Sequence, residues 1–222
     1  MNGKRNLKNT ELRPSNRRLE SFSDAVFAIA VTIMVLEIRV PDSLAFANDR
    51  TAINHFAALL IIYALSFLVI AILWGSHHYL TFTLPSSDRS TIWLNNHVLF
   101  WITLIPIVAR FFGLHPMAPR AAAAYAFVIM MCTLSFTMLR RHASQVSHNE
   151  FHRALHRQVF RKAWIAIGLY AAAIPLSFVD IRLAWALFLA LPSLFFLPVV
   201  RRSMEWGFVQ VSGADNPPRR SG

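Results

Sequence analysis

The chain has 222 residues, with 22 Lys and Arg against 11 Asp and Glu for a formal net charge of +11, and 55% of its residues are hydrophobic while only 15% are charged. A soluble domain carries about 25% charged residues, so this composition excludes an ordinary soluble globule and a disordered chain. The single cysteine, Cys132, excludes an intrachain disulfide and a cysteine-built zinc site.

Six apolar stretches reach spanning length, about 20 residues: 22–40, 53–73, 92–112, 121–139, 159–178 and 181–200. They predict an all-α integral membrane protein, with a membrane domain over 17–202 between a basic tail, 1–16, and a polar tail, 203–222. The basic residues ahead of the first stretch imitate a secretory leader. That leader would be unusually long and Asp24 interrupts it, so the stretch is read as a retained helix. On a helical wheel Phe22, Val26, Ile29, Ile33, Leu36 and Val40 fall on one stripe, and Asp24 lies roughly 140° from Ile29. An aliphatic stripe of this kind either faces lipid, packs, or walls a pore. A carboxylate inside a membrane helix needs a partner. The second stretch ends at the same depth with Trp74-Gly75-Ser76-His77-His78, and the third begins there with Trp93-Leu94-Asn95-Asn96. Ser23, Asp24, His77, His78, Asn95 and Asn96 are therefore expected to form a polar cluster behind the stripe, acting as a packing network or a proton relay. Glu37, near the far end of the first helix, either forms an acidic ring at a pore mouth or pairs locally with Arg39.

Pro41, Pro85, Pro116 and Pro119 punctuate the joints between the first four stretches. In the loop before the fifth, His148, His152 and His156 recur every four residues. Arg153, Arg157 and Arg161 share that loop and repel a metal cation, so a basic amphipathic helix at anionic headgroups is expected, and no metal site. Only Asp180 and its neighbours separate the last two stretches, which predicts a tight helical hairpin. With the N-terminus inside, Lys and Arg divide 17 inside (4, 5, 8, 13, 17, 18, 89, 140, 141, 153, 157, 161, 162, 201, 202, 219, 220) against 5 outside (39, 50, 110, 120, 182). This positive-inside bias predicts that both termini are cytoplasmic. It also accounts for the net charge with a lipid bilayer as partner and no nucleic acid.

Arg18-x-x-x-Phe22-Ser23-Asp24, followed by Ala25-Val26-Phe27-Ala28-Ile29-Ala30-Val31-Thr32-Ile33-Met34-Val35-Leu36-Glu37-Ile38, resembles the signature of the bacterial branch of the endosomal/lysosomal transmembrane potassium channel family. Trp74-x-x-His77-His78-x-Leu80 and Leu94-Asn95-Asn96-x-x-Leu99 with Pro106 extend the resemblance, which covers about residues 17–110. It implies a potassium-selective, leak-type channel in the bacterial cell membrane that assembles as a homotetramer. It also implies a central pore lined by the first helix, needing no cofactor beyond the permeant potassium ion. Ile29 would form the narrowest ring, with Thr32 or Ile33 and then Leu36 as further layers. Arg18, Phe22, Ser23 and Asp24 would support packing against Trp74, the histidines and the asparagines. The chain has no Thr-Val-Gly-Tyr-Gly-like loop, which counts against the filter-bearing potassium channels. A proton-coupled transporter with Asp24, His77 and His78 as the relay is the alternative. A membrane enzyme is disfavoured by the scarcity of carboxylates and cysteines.

Overall fold

A computed structural model describes residues 16–38, 50–84, 88–146 and 150–192, the side chains of 82, 83, 146 and 150–159 excepted. All secondary structure there is helical: α1 Asn16–Leu36, α2 Arg50–Thr83, α3 Arg89–Leu114, α4 Pro119–Val146, α5 Glu150–Val179 and α6 Ile181–Pro192. The first five are long and apolar enough to cross a bilayer. The expected sixth span is helical as far as Pro192, and its remainder to 200 lies outside the described residues, as do the two tails but for Asn16.

The local chemistry explains the boundaries. Asp88 caps α3, its carboxylate accepting from the Thr91 amide at 2.8 Å and from the Thr91 hydroxyl. Those bonds, followed by the contact with His142, hold the Asp88 pKa down to about 2. Pro119 opens α4, at the first helical position, where no intrahelical N–H is required. The predicted hairpin is present at Asp180, whose carboxylate accepts from the Arg182 amide at 2.9 Å to start α6 directly after α5.

α4 is the central element, packed chiefly between α3 and α5, while α1 lies across α3 and α2. Ala121, Ala122 and Ala126 on α4 are fully buried, and such small residues let membrane helices approach closely. Gly113 serves the same end on α3: a Cβ there would stand 3.2–3.3 Å from Leu59 atoms of α2. Phe112, Tyr125, Trp185 and Phe188 join α3, α4 and α6 through ring centroids 5.0–5.6 Å apart. The Tyr125 hydroxyl bonds Ser66 of α2 at 3.0 Å. α1, α3 and α5 start, and α2 and α4 finish, at one end of the bundle. This basic end carries Arg17, Arg18, Arg89, Arg140, Arg141, Arg161 and Lys162 among the described residues.

Candidate functional site

The first helix has two unlike faces. Ser23, Phe27, Ala30 and Met34 recur at spacings of four, three and four, are buried, and seat α1 on its neighbours. Phe22, Ile29, Ile33 and Leu36 are 57, 56, 42 and 78% exposed. Thr32 shares this open face, its hydroxyl donating to the Ile29 carbonyl at 2.9 Å. The proton is spent on the helix itself, so the Thr32 oxygen presents its lone pairs outward. Val26, expected on the same stripe, is instead partly buried against the core. Val40 lies outside the described residues.

Behind the open face stand two polar layers rather than one cluster. The buried layer is a directional chain. Asn95 Nδ2 donates to Ser23 Oγ at 3.0 Å, Ser23 Oγ donates to the Leu19 carbonyl at 2.8 Å, and Asn95 Oδ1 lies 2.7 Å from His77 Nε2. Since Asn95 Oδ1 can only accept, His77 carries its proton on Nε2. Ser23, His77 and Asn95 are all fully buried, and His77 packs between the Phe27 and Phe136 rings. The outer layer pairs Asp24 Oδ1 with Trp74 Nε1 at 2.9 Å, and Glu20 with His78 Nδ1 at 3.1 Å. Trp74 and His78 are stacked, with ring centroids 5.9 Å apart.

The structure corrects the single-cluster expectation for a geometric reason. Successive residues on a helix point about 100° apart, so each adjacent pair is split. Ser23 faces in and Asp24 out; His77 faces in and His78 out. Asn95 is buried and Asn96 is exposed, outside both layers. Arg18 and Phe22, expected in the packing network, are exposed as well. Glu20 was not singled out from the sequence, although its position one turn before Asp24 on the same face was a usable signal. Glu37 pairs with Arg110 of α3 at 2.9 Å, while Arg39, the partner considered for it, lies outside the described residues. So do His148 and the side chains of His152 and His156.

Fold and site together define a multi-pass α-helical membrane protein in which one helix is fastened by polar bonds on one side and bare and aliphatic on the other. Residues 18–106 match the family described as endosomal/lysosomal potassium channel TMEM175. The chain is 34% identical over 163 residues to a potassium channel of Chryseobacterium sp. strain P1-3, covering 72% of this chain and 82% of that one. It superposes with a TM-score of 0.70, at 28% identity, on the crystal structure of a lysosomal potassium-selective channel TMEM175 homolog from Chamaesiphon minutus, covering 82% of this chain and 97% of that one. The human endosomal/lysosomal proton channel TMEM175 is 24% identical over 86% of this chain, which spans 39% of the human protein. The chain belongs to the TMEM175 family.

Proposed function

We propose that this protein is a potassium channel whose pore is lined by α1 from four copies of the chain, with Ile29 as the constriction. The observation that carries the reading is the open face of α1. It keeps Ile29, Ile33 and Leu36 uncovered beside an outward-facing Thr32 oxygen, on a helix whose opposite face is fully engaged. A ring of isoleucines closes a narrow pore by dewetting, and a small widening rewets it, so opening needs no moving charge. Thr32, three residues beyond Ile29, supplies oxygens that replace part of the ion's hydration shell, and potassium sheds water more cheaply than sodium. Phe22 begins the same face two turns before Ile29. Glu37 acts as an anchor to Arg110 rather than as a free acidic ring at the mouth.

The basic end faces the cytoplasm in this reading, so both termini are cytoplasmic in a bacterial inner membrane. The protein is then a homotetramer, with the bilayer and potassium as its partners, no cofactor, no nucleic acid and no enzymatic reaction. The transporter alternative needs protons to pass among Asp24, His77 and His78. In the structure these residues sit in three separate hydrogen bonds, to Trp74, Asn95 and Glu20. An indole N–H is a donor only, and Asn95 holds both its amide ends in fixed bonds, so neither passes a proton on.

The deciding experiment is reconstitution of the purified protein in liposomes, with potassium, sodium and proton fluxes measured separately. Ohmic potassium current exceeding sodium current supports the proposal. Saturable proton-driven solute uptake without such a current rejects it.

A further inference from the structure

A second feature of the bundle is independent of α1. A cavity of about 110 Å³ opens between α2, α4, α5 and α6. Val69, Ile129 and Phe136 give it an apolar wall, and Ser76, Arg140 and Tyr170 give it polar groups. Arg140 is only 6% exposed, and among the described residues it has no carboxylate partner. Its Cζ lies 5.0 Å above the Phe136 ring. A guanidinium withdrawn from water into a membrane protein calls for an anion, and a cation–π contact supplies only part of what an anion would.

The other polar groups are arranged unequally. The hydroxyls of Thr133 and Thr137 donate to the carbonyls of Ile129 and Thr133, at 2.9 and 2.7 Å, so they offer no proton to a ligand. Arg140 and Ser76 lie toward the basic end, whereas Ile129 and Val69 lie two to three turns deeper. The distance along α4 from Arg140 to Ile129 is about 16 Å at the helical rise. The cavity therefore has a cationic mouth at Arg140 and Ser76 and an interior that is apolar but for Tyr170 and the internally bonded threonines. It lies beside the exposed Arg141, Arg161 and Lys162, which concentrate anionic headgroups at a membrane surface.

We propose that this cavity is a binding site for an anionic amphiphile, its phosphate or carboxylate head held by the Arg140 fork and its tail lying along α4 toward Ile129. The planar guanidinium matches both heads bidentately, and the two sources are a phospholipid of the surrounding leaflet and a free fatty acid.

The test uses the purified full-length protein in a neutral detergent, with thermal stability and native mass spectrometry as readouts. It is titrated separately with phosphatidylglycerol, oleate, inorganic phosphate and phosphatidylcholine. Phosphatidylglycerol, oleate or both should bind and raise the melting temperature, and whichever binds identifies the head. Arg140→Gln should weaken that binding at least tenfold, whereas Arg141→Gln, which removes the same charge from an exposed neighbour, should leave it within twofold. Ala163→Phe fills the cavity while keeping Arg140, so it should abolish binding and decides the matter if Arg140→Gln fails to fold. Binding of neither anionic amphiphile, equal binding of phosphatidylcholine, binding of inorganic phosphate as tight as that of the lipids, or wild-type binding by Ala163→Phe would each overturn the site.

Discussion

Two neighbouring asparagines on α3 provide a sharp test of how the first helix is held. Asn95 is fully buried and bonds both His77 and Ser23, whereas Asn96 is exposed. Asn95→Ala removes both bonds at once. It leaves the His77 Nε2–H without an acceptor in a dry interior, which costs about 1–3 kcal/mol. Ser23 keeps its own bond to the Leu19 carbonyl, so its share is smaller, about 0.6 kcal/mol by the average for interhelical bonds in membranes. Together these give about 1.6–3.6 kcal/mol for Asn95→Ala. Asn96→Ala should stay within about 0.5 kcal/mol, as for a surface substitution. Unfolding in mixed micelles with increasing denaturing detergent measures both, and Ser23→Ala combined with Asn95→Ala isolates the pairwise part. Equal losses for the two asparagines, or no coupling between Ser23 and Asn95, would refute the two-layer description.

Ile29→Ala should raise single-channel conductance or loosen potassium selectivity in bilayer recordings, and unchanged currents would remove Ile29 from the pore. Thr32→Ala should lower the potassium-to-sodium permeability ratio measured from reversal potentials; an identical ratio would dismiss the hydroxyl as a ligand. Glu37→Gln and Arg110→Gln, singly and together, should show a coupling of about 0.2–1 kcal/mol, as for an exposed ion pair. Conductance at low salt should barely respond to Glu37→Gln, in contrast to the steep fall expected of an acidic ring. Asp88, with its folded pKa near 2, lies below its unfolded value, so its contribution to stability is complete above about pH 4 and fades as pH falls toward 2. Asp88→Asn should flatten that part of an acid-unfolding curve followed by helical circular dichroism.

The helices were legible because a membrane span announces itself by length and apolarity, and Asp180 announced the hairpin because nothing else separates two long apolar runs. The polar residues of the site were legible as types and depths but not as directions. Asn95 and Asn96, or His77 and His78, are indistinguishable in composition, and only the rotation of α2 and α3 about their axes decides which member faces α1. The rotation of α1 about its own axis likewise turns Val26, at the edge of a stripe read from an ideal wheel, toward the core. Partners distant in sequence were the least visible. Nothing near Glu37 points to Arg110, 73 positions away, whereas the contact of Asp24 with Trp74, expected from the family resemblance, is present at 2.9 Å.

These placements constrain how a constriction at Ile29 could widen. The bonds that fasten α1 are gathered at its two ends: Glu20, Ser23 and Asp24 at the basic end, and Glu37 at the other. Between them, Phe27, Ala30 and Met34 hold the helix by apolar packing alone. The sequence of α1 contains neither proline nor glycine, the usual causes of a kink. A helix pinned at both ends and lacking a hinge moves as a rod, together with the α2 and α3 segments that grip it. If Ile29 is the constriction proposed above, its widening is expected to displace that three-helix unit rather than bend α1. Substitutions at Ser23 or Asn95 should accordingly alter stability and opening together, whereas substitutions at Ile29 or Thr32 should alter conduction while leaving the melting temperature nearly unchanged, because those side chains touch little within their own chain.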